Sequence, residues 1–257
     1  MLERVARPVQ IWLDTARMEI PLILAIVILA SCVGTLTGFG ISTIMIPALL
    51  LFYPLPQTLL FVGIIHWFGD VWKLVLFREG VRWKLIVSFG LAGIAAGIVG
   101  ASLVFSIPGA VLSRTLGVFL IVYIVYLFTK SSFRIKPSAT ACVVGGGLSG
   151  FLAGIFGMGG AVRGMFLTAF DLPKAVYLAT AGAIALIVDT TRLTTYVAEG
   201  ARLPSLLLWG LLVFIPASFL GARIAQLVVD KIPQAHFRKV VAVFLFLVGV
   251  KLLLFPG

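Results

Sequence analysis

Gly34-Thr35-Leu36-Thr37-Gly38-Phe39-Gly40-Ile41-Ser42-Thr43 and Gly154-Ile155-Phe156-Gly157-Met158-Gly159-Gly160-Ala161-Val162-Arg163 are two apolar stretches interrupted by closely set glycines. Glycine destabilises a helix interior by up to about 1 kcal/mol relative to alanine, so each stretch predicts a break in an otherwise helical chain. The pieces that follow, 34–52 and 157–170, are mostly apolar yet too short for an ordinary membrane span, and each reads as a half-helix or re-entrant segment. Broken backbone at membrane depth has N–H and C=O groups that lipid cannot satisfy, so it must be buried in protein or line a wet cavity. Two such breaks facing one another predict a binding site. The N–H groups that begin Ile41 to Leu51 and Ala161 to Phe170 would then sit at positive helix ends suited to an anion. Close helix packing is the alternative use of these glycines, and the four-spaced Gly146, Gly150 and Gly154 suggest it.

Around the breaks lie eight apolar segments: Ile20 to Gly34, Thr58 to Phe77, Leu85 to Phe105, Val111 to Phe128, Ser138 to Phe156, Lys174 to Val197, Pro204 to Leu227 and Phe237 to Phe255. Runs of this kind cross about 30 Å of hydrocarbon at 1.5 Å per residue. The 257 residues are 61% hydrophobic and 11% charged, with a mean hydropathy of +1.18, which excludes a soluble domain. The expected fold is an all-α integral membrane protein of about eight transmembrane segments in two tandem four-helix repeats, each with a Gly-rich broken or re-entrant segment. Residues 1–19 form an N-terminal interfacial segment, 20–130 the first transmembrane repeat and 131–257 the second. Val5, Val9, Trp12 and Ala16 recur at helical spacing in the first of these, and no small-residue cleavage site follows, so it reads as retained in the headgroup region.

Lys and Arg number 20 against 9 Asp and Glu, a formal charge of +11. The polar segments are too short to gather that charge into a nucleic-acid-binding face, so it reads as topology signal, attraction to anionic lipid and, in part, service to an anionic substrate. With four crossings per half, Arg4, Arg7 and Arg17, then Arg78, Arg82 and Lys84, then Lys130, Arg134 and Lys136 share the cytoplasmic side. Lys231, Arg238 and Lys239 would face outward, against the rule. Cys32 and Cys142 have no second Cys or His at metal-ligand spacing and read as small buried thiols, so no metal site is expected.

The halves repeat. Asp70-Val71-Trp72-Lys73 corresponds to Asp189-Thr190-Thr191-Arg192, and Glu79-Gly80-Val81-Arg82 to Glu199-Gly200-Ala201-Arg202. Gly38-Phe39-Gly40 matches Gly157-Met158-Gly159. A tandem duplication explains these together; four crossings per copy would relate the copies by an axis along the membrane normal, an extra crossing by inversion.

Candidate site residues follow from the breaks and from ionisable groups inside the spans. Gly38, Gly40, Ser42 and Thr43 in the first copy and Gly157, Gly159, Gly160 and Arg163 in the second are the expected substrate contacts, with Arg163 the single best one. His66, Asp70 and Lys73 share one face of the second span. An ionisable group at that depth costs about 3 kcal/mol on insertion scales, so the face should look inward. Asp189 and Arg192 repeat the pair, with Ala185 in place of the histidine. One reading is an intrahelical ion pair in each copy. The other makes Asp70 and Asp189 part of a proton or sodium pathway tuned by His66, with Lys73 and Arg192 adding positive potential.

The Gly34 to Ser42 motif running into Ile46-Pro47, the second motif Gly157-Met158-Gly159-Gly160, and the tandem repeat resemble the sulfite exporter TauE/SafE-type family of membrane permeases, over about residues 20 to 255. That resemblance implies secondary transport, across the cell membrane, of a small sulfur-containing or organic anion such as sulfite, sulfoacetate or a sulfonate, driven by an ion gradient. It implies no cofactor, no nucleic-acid partner and no enzymatic activity. No G-x-x-x-x-G-K-[ST] nucleotide motif occurs.

An anion channel is the nearest rival, since re-entrant glycine segments also build selectivity filters. An intramembrane serine protease using Ser149 in Gly147-Leu148-Ser149-Gly150, with His236 as base, is a further alternative. Gly93, Gly97 and Ala101, with Ala217, Gly221 and Ala225, form small-residue stripes that serve contacts within the chain or, in an oligomer, between copies; internal packing is expected.

Overall fold

The computed structural model describes residues 19–35, 40–76, 80–129, 136, 138–167, 170–228 and 234–256. They form helices α1 (Glu19–Thr35), α2 (Ser42–Leu49), α3 (Leu55–Leu76), α4 (Trp83–Ser106), α5 (Gly109–Thr129), α6 (Ala139–Phe156), α7 (Gly160–Leu167), α8 (Lys174–Ala198), α9 (Ser205–Val228) and α10 (Gln234–Leu254). No strand occurs among the described residues. Five helices, α3, α4, α6, α8 and α9, are long and apolar enough to cross a membrane, and α1, α5 and α10 contain shorter apolar stretches. The chain is a multi-pass membrane protein. The N-terminal interfacial segment and Gly38 lie outside the described residues.

The eight expected segments coincide with the eight longer helices, and both predicted breaks separate a long helix from an eight-residue one. In the second break the helix ends where Gly157 adopts a left-handed φ of 68°, its N–H donating to the Ala153 carbonyl and that of Met158 to Leu152. Gly40 likewise has a φ of 90° just before α2. An L side chain is strained in both places.

Contacts fix the relative directions of the helices. α3 and α8 are antiparallel, since Gly63 faces Leu193, His66 meets Asp189 and Gly182 faces Lys73. α4 and α8 are parallel, with the Arg82 N–H on Thr180 Oγ1 at one end and Gly93 against Val188 further along. α3 and α9 are parallel, Phe61 packing edge-on against Phe214 and Trp72 against Phe219. α5 and α10 are antiparallel, Gly117 lying against Leu253 and Gly249 against Ile121.

α4 and α6 are parallel and touch backbone to backbone: Gly146 on Phe89, Gly150 on Gly93, and Gly154 on Gly97 and Ala101. α6 and α8 therefore point the same way, and the chain between them, α7 included, must return across part of the layer. α1 and α2 do the same, because Tyr53, just past α2, donates to Glu19 at the start of α1 (2.6 Å). In this arrangement α9 ends and α10 begins on the side where α4 and α6 begin. Arg238 and Lys239, early in α10, thus share a side with Arg82, Lys84 and Lys136, rather than facing the opposite side as four crossings per half would require.

The small-residue stripe of α4 is consumed internally against α6, and Gly221 packs on Ile28, Ser31 and Cys32 of α1. A Cβ at Gly150 would collide with the Gly93 backbone, which has no flexible end to move aside. Gly150→Leu is expected to cost about 3 kcal/mol or more, the upper end for overpacking, read as a lowered thermal midpoint of the detergent-purified protein. Gly147 has open space at its Cβ position, so Gly147→Ala is the control and should leave the midpoint unchanged or slightly raised.

Candidate functional site

The 3.6-residue period sets His66, Asp70 and Lys73 along one stripe of α3, and Asp189, Arg192 and Tyr196 along one stripe of α8. Because the two helices run antiparallel in contact, the stripes meet at the centre of the protein. Lys73 Nζ donates to Asp70 Oδ1 at 2.7 Å, and Arg192 Nε donates to Asp189 Oδ1 at 2.7 Å. His66 Nδ1 is hydrogen-bonded to Asp189 Oδ2 at 2.6 Å and stands 3.6 Å from Asp70 Oδ2, which has no hydrogen-bond partner among the described residues, so the imidazole sits between the two ion pairs. An ionised carboxylate only accepts, so with Asp189 charged the donor in this bond is Nδ1–H. All five groups are buried.

The reading of two separate intrahelical pairs is thus too small. Each pair exists, but His66 joins them across the helix interface. Trp67 Nε1 donates to Thr190 Oγ1 (2.8 Å) one residue along and holds the same register.

The breaks flank this cluster. Gly40 lies against the imidazole, where a Cβ would fall 2.9 Å from His66 Nε2. Gly157 lies against Arg192, Leu59 and Ile46. Three side chains fasten the second break. The Ser149 hydroxyl donates to the Gly159 carbonyl (2.8 Å), the Tyr196 hydroxyl donates to the Gly154 carbonyl, and the Arg192 guanidinium sits 5.9 Å from the centre of the Tyr196 ring. Ser149 therefore does structural work on backbone, which weighs against its use as a nucleophile.

Between the breaks is a small cavity lined by Gly40, Asp70 and Lys73 from the first half and by Gly160, Arg163, Gly164, Tyr177, Leu178 and Ala181 from the second. Arg163, 6% exposed, projects from α7, the short helix of the second break. Of the expected contacts, Gly40, Gly160 and Arg163 line this cavity with Asp70 and Lys73. His66, Asp189 and Arg192 adjoin it through the imidazole bridge. Ser42 and Thr43 are buried in the first turn of α2 and Gly159 against Ser149, away from the lining.

Tyr177 and Tyr196 were not singled out from the sequence. Tyr196 had a signal, lying four residues beyond Arg192 on the same stripe, and Leu178, Ala181 and Ala185 continue that stripe toward the cavity. Tyr177, in the apolar run Val176-Tyr177-Leu178, had none.

The buried cluster holds three cations, Lys73, Arg163 and Arg192, against two acids, Asp70 and Asp189. Buried charge is tolerated when it is paired, and one positive charge here lacks its counterpart among the described residues. His66, Asp70 and Asp189 could also present ligand atoms within 4.8 Å of one another to a metal. Both carboxylates are already in contact with a fixed cation, so a metal there would meet two positive charges at close range. The geometry fits an anion better.

A family model described as sulfite exporter TauE/SafE matches residues 23–252. No curated protein and no solved structure matches the chain.

Proposed function

From its membership of the sulfite exporter TauE/SafE family, to which this chain belongs over nearly its whole length, we propose that it is a secondary transporter of a small sulfur-containing or organic oxyanion such as sulfite, sulfoacetate or a sulfonate, driven by a proton or sodium gradient across the cell membrane. One observation carries the substrate charge: the surplus cation in a buried cluster beside a cavity between two helix breaks. The anion sits between Lys73 and Arg163, with the short helix α7 directing its N-terminal N–H groups toward it.

The two halves act as an inverted pair about an axis in the membrane plane. Support comes from Gly40 and Gly159, Gly63 and Gly182, Asp70 and Asp189, and Lys73 and Arg192, which are each 119 residues apart. Gly63 packs on Arg192 as Gly182 packs on Lys73, across antiparallel helices. Such pairing lets one half rock against the other about a central site. Arg82, Lys84, Lys136, Arg238 and Lys239 then mark the cytoplasmic side.

Coupling runs through the imidazole bridge. His66 faces Asp189 from α8, Asp70 and, through it, Lys73 on its own helix, Arg192 through Asp189, and the uncharged backbone of Gly40 from the first break. A proton on this bridge offsets the charge of the carried anion. The test is accumulation of labelled sulfite against its gradient in proteoliposomes with an imposed pH or sodium gradient; a passive pore would equilibrate it and no more. In the same assay His66→Ala is expected to flatten the dependence of flux on pH, because it removes the imidazole that joins the two acids. An unaltered profile would remove His66 from the coupling path.

A further inference from the structure

Arg192 is fully buried, yet only Nε has a hydrogen-bond partner; Nη1 and Nη2 have none among the described residues. Guanidinium presents five N–H donors in one rigid plane, so four remain unused here. A buried donor without an acceptor costs free energy, more so when charged, and calls for an explanation.

The surroundings of the fork are close, glycine-faced and apolar. A Cβ at Gly63 would lie 3.2 and 3.3 Å from Nη1 and Nη2, and one at Gly157 would lie 3.4 Å from Nη1. Ile46 and Leu59 press on Gly157 and Leu193 on Gly63. The Tyr196 hydroxyl donates to the Gly154 carbonyl and, as an acceptor, interacts with the Arg192 guanidinium without completing a hydrogen bond to Nη1 or Nη2. His66 Nε2 is also buried without a partner, at the first break.

We propose that the Nη1–Nη2 edge of Arg192 is a second anion station, occluded in this conformation, that takes two oxygens of a sulfite, sulfonate or carboxylate end-on and lies in series with the Lys73 and Arg163 cavity. The inference rests on the anion-transport reading. The two stations flank the His66 bridge, with Asp70 toward the cavity and Asp189 toward Arg192. Retraction of Ile46 and Leu59 from Gly157 opens the second station as the first closes. A two-toothed fork distinguishes planar pairs of oxygens from a spherical ion, which a lysine at the same place does not.

The experiment uses the full-length purified protein and reads both sulfite-induced thermal stabilisation and proteoliposome flux, with chloride at equal ionic strength as the spherical comparison. For Arg163→Gln, flux should be lost while the stabilisation by sulfite over chloride persists, because the occluded station is intact; loss of that stabilisation means a single station and overturns the proposal. Arg192→Lys keeps a cation for Asp189, as Lys73 serves Asp70. Its KM for sulfite should rise at least about tenfold, with preference for sulfite over chloride lost. Retention of KM and preference within twofold would make Arg192 a strut only, and would overturn the proposal. Should Arg192→Lys not fold, the Arg163→Gln arm decides alone. Native protein that is neither stabilised by nor carries any oxyanion would instead overturn the transport reading itself.

Discussion

Arg163→Gln protein, reconstituted at the native protein-to-lipid ratio, is expected to move sulfite at no more than about a hundredth of the native rate. Arg163 is the cavity cation without an acid of its own, since Lys73 is held at 2.7 Å by Asp70 and Arg192 at 2.7 Å by Asp189. Removing it leaves the cavity without a cation free of an acid to receive an incoming anion. Charge-assisted hydrogen bonds to a buried anion contribute about 1.5 to 3 kcal/mol, and an uncompensated buried charge costs about 3 to 5 kcal/mol, so the deficit is two decades or more. Arg163 faces a cavity rather than supporting a neighbour, so thermal stability without ligand should change little. Initial rates of labelled sulfite uptake, beside a thermal midpoint, separate the two effects.

Asp189→Asn is expected to show the reverse balance, a stability loss larger than that of any other single change in the cluster. Asp189 accepts from Arg192 Nε and from His66 Nδ1, and its neutral replacement strands a fully buried guanidinium. Breaking a buried pair by removing one partner costs about 3 to 5 kcal/mol, whereas removing both partners is often close to neutral. The thermal midpoint of Asp189→Asn should therefore fall well below native, and that of the double variant Asp189→Asn with Arg192→Gln should recover most of the loss. Asp70→Asn should be milder, because Lys73 borders the cavity, where water or the anion can reach it.

Glycine spacing and apolar run length made most of the fold legible, because both act through local backbone physics. The Gly157 to Gly160 cluster ends one helix and begins another within four residues, where the sequence reading placed the break. The small-residue run on α4 was equally readable as a packing surface, although whether it met α6 or another copy depends on tertiary contacts. Helix direction was harder, since a broken segment that returns and one that crosses have the same composition. The parallel contacts of α4 with α6 and α8 distinguish them in the second half, and the Tyr53 bond to Glu19 does so in the first. At the site, Asp70, Lys73, Asp189 and Arg192 stood out because ionisable groups are costly in lipid. The bridge by His66 did not, because it depends on two helices 123 residues apart meeting in register. Tyr177 was hidden too: one hydroxyl in an apolar run says nothing until α7 folds back to bring Arg163 into the same cavity.

The central claim is that an oxyanion is carried uphill at the cavity between the two breaks. Its most direct test is labelled sulfite accumulation in proteoliposomes under an imposed ion gradient, for native, Asp70→Asn and Arg163→Gln proteins matched for folded content. Gradient-driven accumulation by the native chain, collapsed in both variants, is the predicted result. Equal accumulation by Arg163→Gln and native protein would contradict the account, because the anion would then be crossing somewhere other than the Lys73 and Arg163 cavity.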